Sequence, residues 1–367
     1  MGDSDEEYRV AHLVNSVGPS SSGGDLAQSL NQYTEIEAVL ISLEEPSVAP
    51  ENTRVIYPQK SNSSFPLSRS RWLNKEIKNV DMVTCVHTFA GILGATVAKS
   101  QRKPVVAREG NNHRNFSRKV RAARFATGLL ADRIVCVSQS VANSYHGFER
   151  IIPDSKFAVI QNGVDIEEIQ SAKSCAWSIH SVADINQDAE IVGTAGMFTE
   201  QKNHETLIRA IDRLNDERSM DVELVIAGSG PRRDLLAGLA RRLGIEKQVH
   251  FLGYLERKQV YKMLHEIDCY AMPSRWEGFS AAVLQAMAAG VPCVLSKIPS
   301  FRSQYPGSIV RFHDVESATD LAVAIDAVLE ANAGIGERGR EFVSENYSLE
   351  SMAKKYEALY LDMLGRD

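Results

Sequence analysis

Residues 269–295 read Cys269-Tyr-Ala-Met-Pro-Ser-Arg-Trp-Glu-Gly-Phe-Ser-Ala-Ala-Val-Leu-Gln-Ala-Met-Ala-Ala-Gly-Val-Pro-Cys-Val-Leu295. The run 269–272 is apolar and of strand length, and it stops at Pro273. A turn-rich stretch to Ser280 follows. An apolar helical pattern then covers 281–289 and ends at Gly290, where a helix-ending glycine belongs. A second apolar run, 292–295, comes directly after. Strand, turn, helix and strand in so short a span imply parallel strands, because an antiparallel pair would need only a hairpin. Strands apolar throughout imply a sheet covered on both faces. The turn holds Arg275 and Glu277, followed by Gly278, Phe279 and Ser280. Ser280 is of a type that caps the following helix, and Gln285 lies eight residues beyond Glu277. Ordinary strand–turn–helix chemistry accounts for the glycine and the serine. It does not account for a guanidinium and a carboxylate at the carboxyl end of a strand, where ligands of doubly wound sheets sit.

The same alternation extends through the chain. Strand runs are expected at 10–14, 38–42, 82–86, 105–107, 134–137 and 157–160. A second series falls at 191–195, 223–227, 249–252, 269–272 and 292–295, with helices at 204–215, 232–243, 257–265 and 281–289. Residues 169–188 are polar and without period, and they read as a linker. The expected fold class is therefore α/β: two Rossmann-like, doubly wound domains, 1–168 and 189–348, with a cleft between them. The tail 349–367 is expected to form a helix packing back on the first domain.

The chain has 367 residues, 44% hydrophobic and 24% charged, the mix of a globular protein rather than a disordered one. Its 41 Lys+Arg against 47 Asp+Glu exclude a strongly basic nucleic-acid binder as the default. There is no run of 18 apolar residues. The acidic start, MGDSDEEYRV, lacks the apolar region of a signal peptide, so a cytoplasmic protein is expected. Cys85, Cys136, Cys175, Cys269 and Cys293 are far apart and without zinc-type spacing, and they read as reduced thiols.

Two further loops carry chemistry. Val17-Gly-Pro-Ser-Ser-Ser-Gly-Gly24 lies between a strand and a helix beginning near Asp25. It is neither a Walker A loop nor GxGxxG, and reads equally as an anion-cradling turn or a plain βα turn. In Gly193-Thr-Ala-Gly-Met-Phe-Thr-Glu-Gln-Lys-Asn-His-Glu205, Thr199 and Lys202 precede a helix. A lysine beside a helix N-terminus suits a phosphate, but taken alone a solvated surface lysine is the better reading.

Together these segments resemble the retaining glycosyltransferases of the GT-B fold, glycosyltransferase family four. The resemblance runs through Gly23-Gly24, 81–87, 131–138 and 159–165, then 193–202, 224–231, 249–253 and 268–290. It implies sugar transfer from a nucleotide-diphosphate donor to a glycan or lipid-linked acceptor, with retained anomeric configuration, no metal and no other cofactor. Carried over by position, Lys202 would hold the diphosphate and Glu277 would sit at the donor sugar. Gly278, Phe279 and Ser280 would meet sugar or phosphate, and Gln285 the ribose. Gly253 and Tyr254 would line the base pocket, with Thr199 and Arg275 nearby and Gly23-Gly24 closing on the phosphate. Two positions depart from the family: Met197 stands where an Arg is usual, and Gln285 where a Glu is usual. Arg275 is a candidate replacement for the missing cation. His113 is the nearest candidate for the histidine the family places after the strand near residue 107.

Residues 101–133 hold nine Lys and Arg against two acids, Glu109 and Asp132. With Arg69, Arg71 and Lys75, they suggest a basic face that could touch anionic membrane through Trp72 or Phe116, or simply a solvated helix. A peripheral position at the inner face of the membrane follows from the first reading. No nucleic-acid motif accompanies the charge. Other readings remain: an epimerase of the same fold using Glu277, Glu109, His87 or His113, a non-catalytic subunit, or a phosphorylase.

Overall fold

The computed structural model describes residues 8–17, 22–58, 66–86, 88–217, 221–330 and 334–365. His87, the acidic first seven residues and positions 18–21 of the first loop lie outside them. The chain forms two compact units.

The first unit is built on a parallel sheet of β1 (Tyr8–Val14), β2 (Ile36–Ser42), β3 (Arg54–Ile56), β4 (Met82–Val86), β5 (Val105–Glu109), β6 (Arg133–Cys136) and β7 (Phe157–Val159). The order is β3-β2-β1-β4-β5-β6-β7, with Val10 in register with both Ala38 and Met82. On one face, Val10, Ala38, Met82, Val106 and Val135 pack beneath the helix Ser22–Tyr33 and the C-terminal helix Leu349–Leu364. Tyr356 and Tyr360 of that last helix are fully buried. Their hydroxyls meet polar groups that a purely apolar face would leave orphaned: Tyr360 lies 2.8 Å from Thr84 Oγ1, and Tyr356 accepts from Arg108 Nε at 3.0 Å. Arg108 also donates to Asn162 Oδ1 at 2.6 Å.

The second unit spans Val164–Ser348. Its strands are β8 (Glu190–Ala195), β9 (Val222–Ala227), β10 (Val249–Gly253), β11 (Cys269–Met272), β12 (Cys293–Ser296) and β13 (Arg311–His313). All are parallel, in the order β10-β9-β8-β11-β12-β13. Gly244 ends the helix Arg233–Leu243 at φ 78°, a left-handed conformation that favours glycine.

The structure corrects the expected boundary. Residues 169–188 are no linker, and 164–168 do not belong to the first unit. Ile169, Ala172, Ile179 and Ile185 are buried with Tyr261, Leu264 and Ile267 in the second unit's core. The Gln170 amide donates to the Ala288 carbonyl at 2.6 Å, and Val164 N–H to the Tyr347 carbonyl at 2.9 Å. The segment lacks a period because it is a string of short turns, Ile166–Ser171, Ala172–Ser174 and Ile179–Ser181, each burying one residue. The short strands β3 and β13 were not anticipated either. Each is three residues at a sheet edge, too short for a pattern.

Among the described residues, five histidines have their pKa lowered, each chiefly by burial: His12 to about 3, His204 to about 4, and likewise His113, His265 and His313. Each folded pKa lies below the unfolded value of roughly 6.5. Between the two values the unfolded chain binds more protons, so stability falls as pH falls. Chemical denaturation at a series of pH values should show stability dropping from about pH 6.5 downward. A flat profile between pH 7 and 5 would contradict the neutral, buried state of these rings.

Candidate active site

The carboxyl ends of four strands in the second unit are tied by backbone hydrogen bonds. Gly196 N–H, after β8, donates to Ala227 O at 2.9 Å, and Phe198 N–H to Ser229 O at 2.9 Å. Gly228 N–H, after β9, donates to Gly253 O at 2.7 Å. Arg275 N–H, after β11, donates to Gln201 O at 2.8 Å. Gly228 has φ 138°, and a Cβ there would overlap the Gly196 carbonyl. Only glycine lets the loops approach this closely. Asn203 is buried at φ 53°, and its amide donates to the Pro273 carbonyl at 3.2 Å, fixing the loop before the helix His204–Glu217.

This frame brings Lys202 to Glu277, with Nζ 2.7 Å from Oε1. Glu277 is only 7% exposed, and two more donors reach it: Ser274 Oγ to Oε1 at 2.8 Å and Gln201 Nε2 to Oε2 at 3.2 Å. A carboxylate taken out of water is tolerated when its lone pairs are filled in this way. Thr199 is half-buried on the same loop, its N–H bonded to Met197 O at 2.9 Å. Gly278 is buried, and Phe279 packs against Tyr347 with ring centroids 5.9 Å apart. Gln285 is half-buried on the helix Ala281–Ala288. Gly253 has φ 72° and Tyr254 is 63% exposed.

Several expectations need correction. Ser280 precedes the helix but makes no side-chain cap. Arg275, the candidate replacement for the cation missing at Met197, is held by a carboxylate of its own. Its Nε and Nη2 bind Glu316 at 2.6 and 3.2 Å, and Nη1 donates to the Glu200 carbonyl. Hydrogen bonding to Glu316 raises its pKa further. His113 is not placed for catalysis. It has no exposed surface, stacks on Tyr145 with centroids 3.9 Å apart, and has Nδ1 3.1 Å from Glu149 Oε1. Glu109 is likewise buried and paired with Arg124, which removes two of the acid–base groups an epimerase would use. Gly23 and Gly24 lie buried in the first turn of Ser22–Tyr33, in the first unit. Ser274, Gln201 and Asn203 were missed: as common polar residues in turns they give no sequence signal, and only the folded loops bring them to Glu277 and Pro273. Among the described residues, no group of three or more His, Cys, Asp or Glu side chains could hold a metal ion.

The model of the glycosyl transferases group 1 matches residues 176–348, and that of glycosyltransferase family 4 matches 24–168. The chain belongs to this glycosyltransferase family. It is 27% identical to an uncharacterised glycosyltransferase of Methanocaldococcus jannaschii, over 79% of this chain and 78% of that one. It is 24% identical to the Escherichia coli UDP-Gal:alpha-D-GlcNAc-diphosphoundecaprenol alpha-1,3-galactosyltransferase, over 81% and 79%. Anabaena HepE, solved with UDP and glucose, superposes with a TM-score of 0.80 at 17% identity, covering 97% of this chain and 100% of that one. The architecture is accordingly that of a GT-B glycosyltransferase.

Removing Lys202 leaves a buried carboxylate short of its ionic partner. Lys202→Ala should therefore destabilise the fold by about 1–3 kcal/mol, while adding Glu277→Gln should recover part of the loss. Denaturant titration of the double-mutant cycle measures the coupling. Strictly additive losses would show that the pair contributes nothing.

Proposed function

We propose that this glycosyltransferase moves a sugar from a nucleotide-diphosphate donor to a glycan or lipid-linked acceptor with retention of configuration, and without a metal. The observation that carries this reading is the Lys202–Glu277 pair at adjoining strand ends. An entering diphosphate would draw Lys202 away from Glu277, aided by the nearby start of the helix His204–Glu217. Glu277, still held by Ser274 and Gln201, would then accept hydrogen bonds from hydroxyls of the donor sugar. Gln285 would bond the ribose, and the backbone at Gly253 and Tyr254 would face the base.

In the proposed reaction the acceptor oxygen forms its bond to the anomeric carbon on the side from which the diphosphate leaves. The bond from that carbon to the phosphate oxygen breaks, and a leaving phosphate oxygen takes the acceptor's proton. No protein nucleophile is needed, and the diphosphate's charge is met by Lys202 and backbone N–H groups. The E. coli relative is named for a UDP-sugar donor and a diphosphoundecaprenol-linked acceptor, and HepE was solved with UDP and glucose. Both support a donor of this class.

A thermal-shift screen of nucleoside diphosphates and their sugars is the first test. Saturation at one hundred times the dissociation constant should add about 2.7 kcal/mol of stability. No response to any of them would overturn the reading and favour a non-catalytic subunit. With a donor in hand, Glu277→Ala should lower turnover by roughly a hundredfold or more. Gln285→Glu should keep or tighten nucleotide binding by supplying a charge-assisted bond to ribose. Loss of binding in a folded Gln285→Glu protein would show that the amide is required.

A further inference from the structure

The basic stretch 101–133 does not fold into one basic face. Arg108 and Arg124 are buried, Arg121 is bound to Glu149 at 2.9 Å, and Arg133 reaches Asp362 at 3.3 Å and the Ser155 carbonyl at 2.7 Å. Phe116 is half-buried beneath the Arg124 guanidinium, 4.5 Å from its ring centroid, and Trp72 is half-buried. Neither residue is placed to insert into a bilayer.

Another surface of the first unit exposes large apolar side chains. The helix Arg118–Leu130 lies against the turn Gly147–Ile151: the Phe125 and Phe148 rings meet edge to face at 5.0 Å, and Ile152 and Ile134 both pack against Gly128. From this junction Ile151 stands 73% exposed, Phe148 54% and Leu129 49%. Large exposed apolar side chains grouped this way mark an interaction surface rather than scattered surface residues. On the same helix and turn Arg118, Lys119 and Arg150 are exposed, while Glu149, the acid of the turn, is buried and bound to Arg121. The exposed acids closest in sequence are Asp132, paired with Lys99, and Asp154.

We propose that this junction docks the protein on an anionic lipid surface, with Phe148, Ile151 and Leu129 entering the headgroup boundary and Arg118, Lys119 and Arg150 meeting lipid phosphates. Charge complementarity selects this partner. Exposed apolar side chains and cations on one helix and turn match an interface that is apolar below and negative above. The surface shares no residue with the proposed donor site, and its test contains neither donor nor acceptor. Failure here therefore leaves the transferase reading standing, and failure of that reading leaves this surface standing.

The experiment is cosedimentation of the full chain with vesicles of phosphatidylcholine alone and of phosphatidylcholine mixed with phosphatidylglycerol, at low and high salt. Binding should appear on the mixed vesicles and fade at high salt. Phe148→Ser with Ile151→Ser should abolish most of it. These positions are exposed, so folding should survive, as circular dichroism can verify. The separate variant Arg118→Ala with Lys119→Ala should weaken binding roughly fivefold for each charge removed. Equal binding to both vesicle types, no binding to the mixed vesicles, or binding indifferent to both variants would overturn the proposal. So would a dimer in light scattering that the Phe148/Ile151 variant splits, in the absence of lipid binding. That result would assign the patch to a second copy of the chain.

Discussion

The site in the second unit depends on a backbone contact that no side chain could share. Gly228, leaving β9, lies so close to the Gly196 carbonyl, leaving β8, that any Cβ would overlap it. Closing this gap places the loop that carries Lys202. The Arg275 N–H to Gln201 O bond then joins that loop to the turn after β11, which carries Glu277. A lysine and a carboxylate 75 residues apart in sequence thus meet because four strand ends are laced together by main-chain bonds. Main-chain lacing is insensitive to side-chain identity except where glycine is required, so the surrounding loop residues can vary while the geometry holds.

Glu277 shows how such a frame serves chemistry. Burial alone would make its charge expensive, and Lys202, Ser274 and Gln201 offset that cost. In the proposed reaction the carboxylate need not move when Lys202 turns to phosphate, because two neutral donors keep it aimed. The N-terminal unit shows the structural counterpart. His113 and Arg121 both bind the buried Glu149, and Arg124 binds the buried Glu109. They hold the segment between β5 and β7 together and expose no reactive group.

Much of the fold was legible because parallel strands buried on both faces are short, uninterrupted apolar runs. Cys269–Met272, with all four residues buried, is an example. The edge strands Arg54–Ile56 and Arg311–His313 were not legible, since three residues are too few to form a pattern. Residues 169–188 misled for the opposite reason: short turns bury single residues at irregular spacing, which in sequence looks like a tether. Within the site, Lys202 and Glu277 stood out by position after a strand. The sequence held no sign that they touch, that Ser274 supports them, or that Arg275 is held by Glu316. Those facts depend on the paths of loops whose side chains carry no periodic signal. The basic segment misled similarly, because charge counted along a chain does not distinguish an arginine facing solvent from one buried against a glutamate.

The central claim is that the strand-end loops of the second unit form the nucleotide site. Amide hydrogen exchange of the full chain, with and without a saturating nucleoside diphosphate, tests it most directly. The account predicts slowed exchange in residues 196–203, 228–232, 253–256 and 274–281, the stretches that carry or lace together Lys202 and Glu277. Protection confined to other segments, with these four unchanged under conditions where calorimetry shows the nucleotide bound, would contradict it.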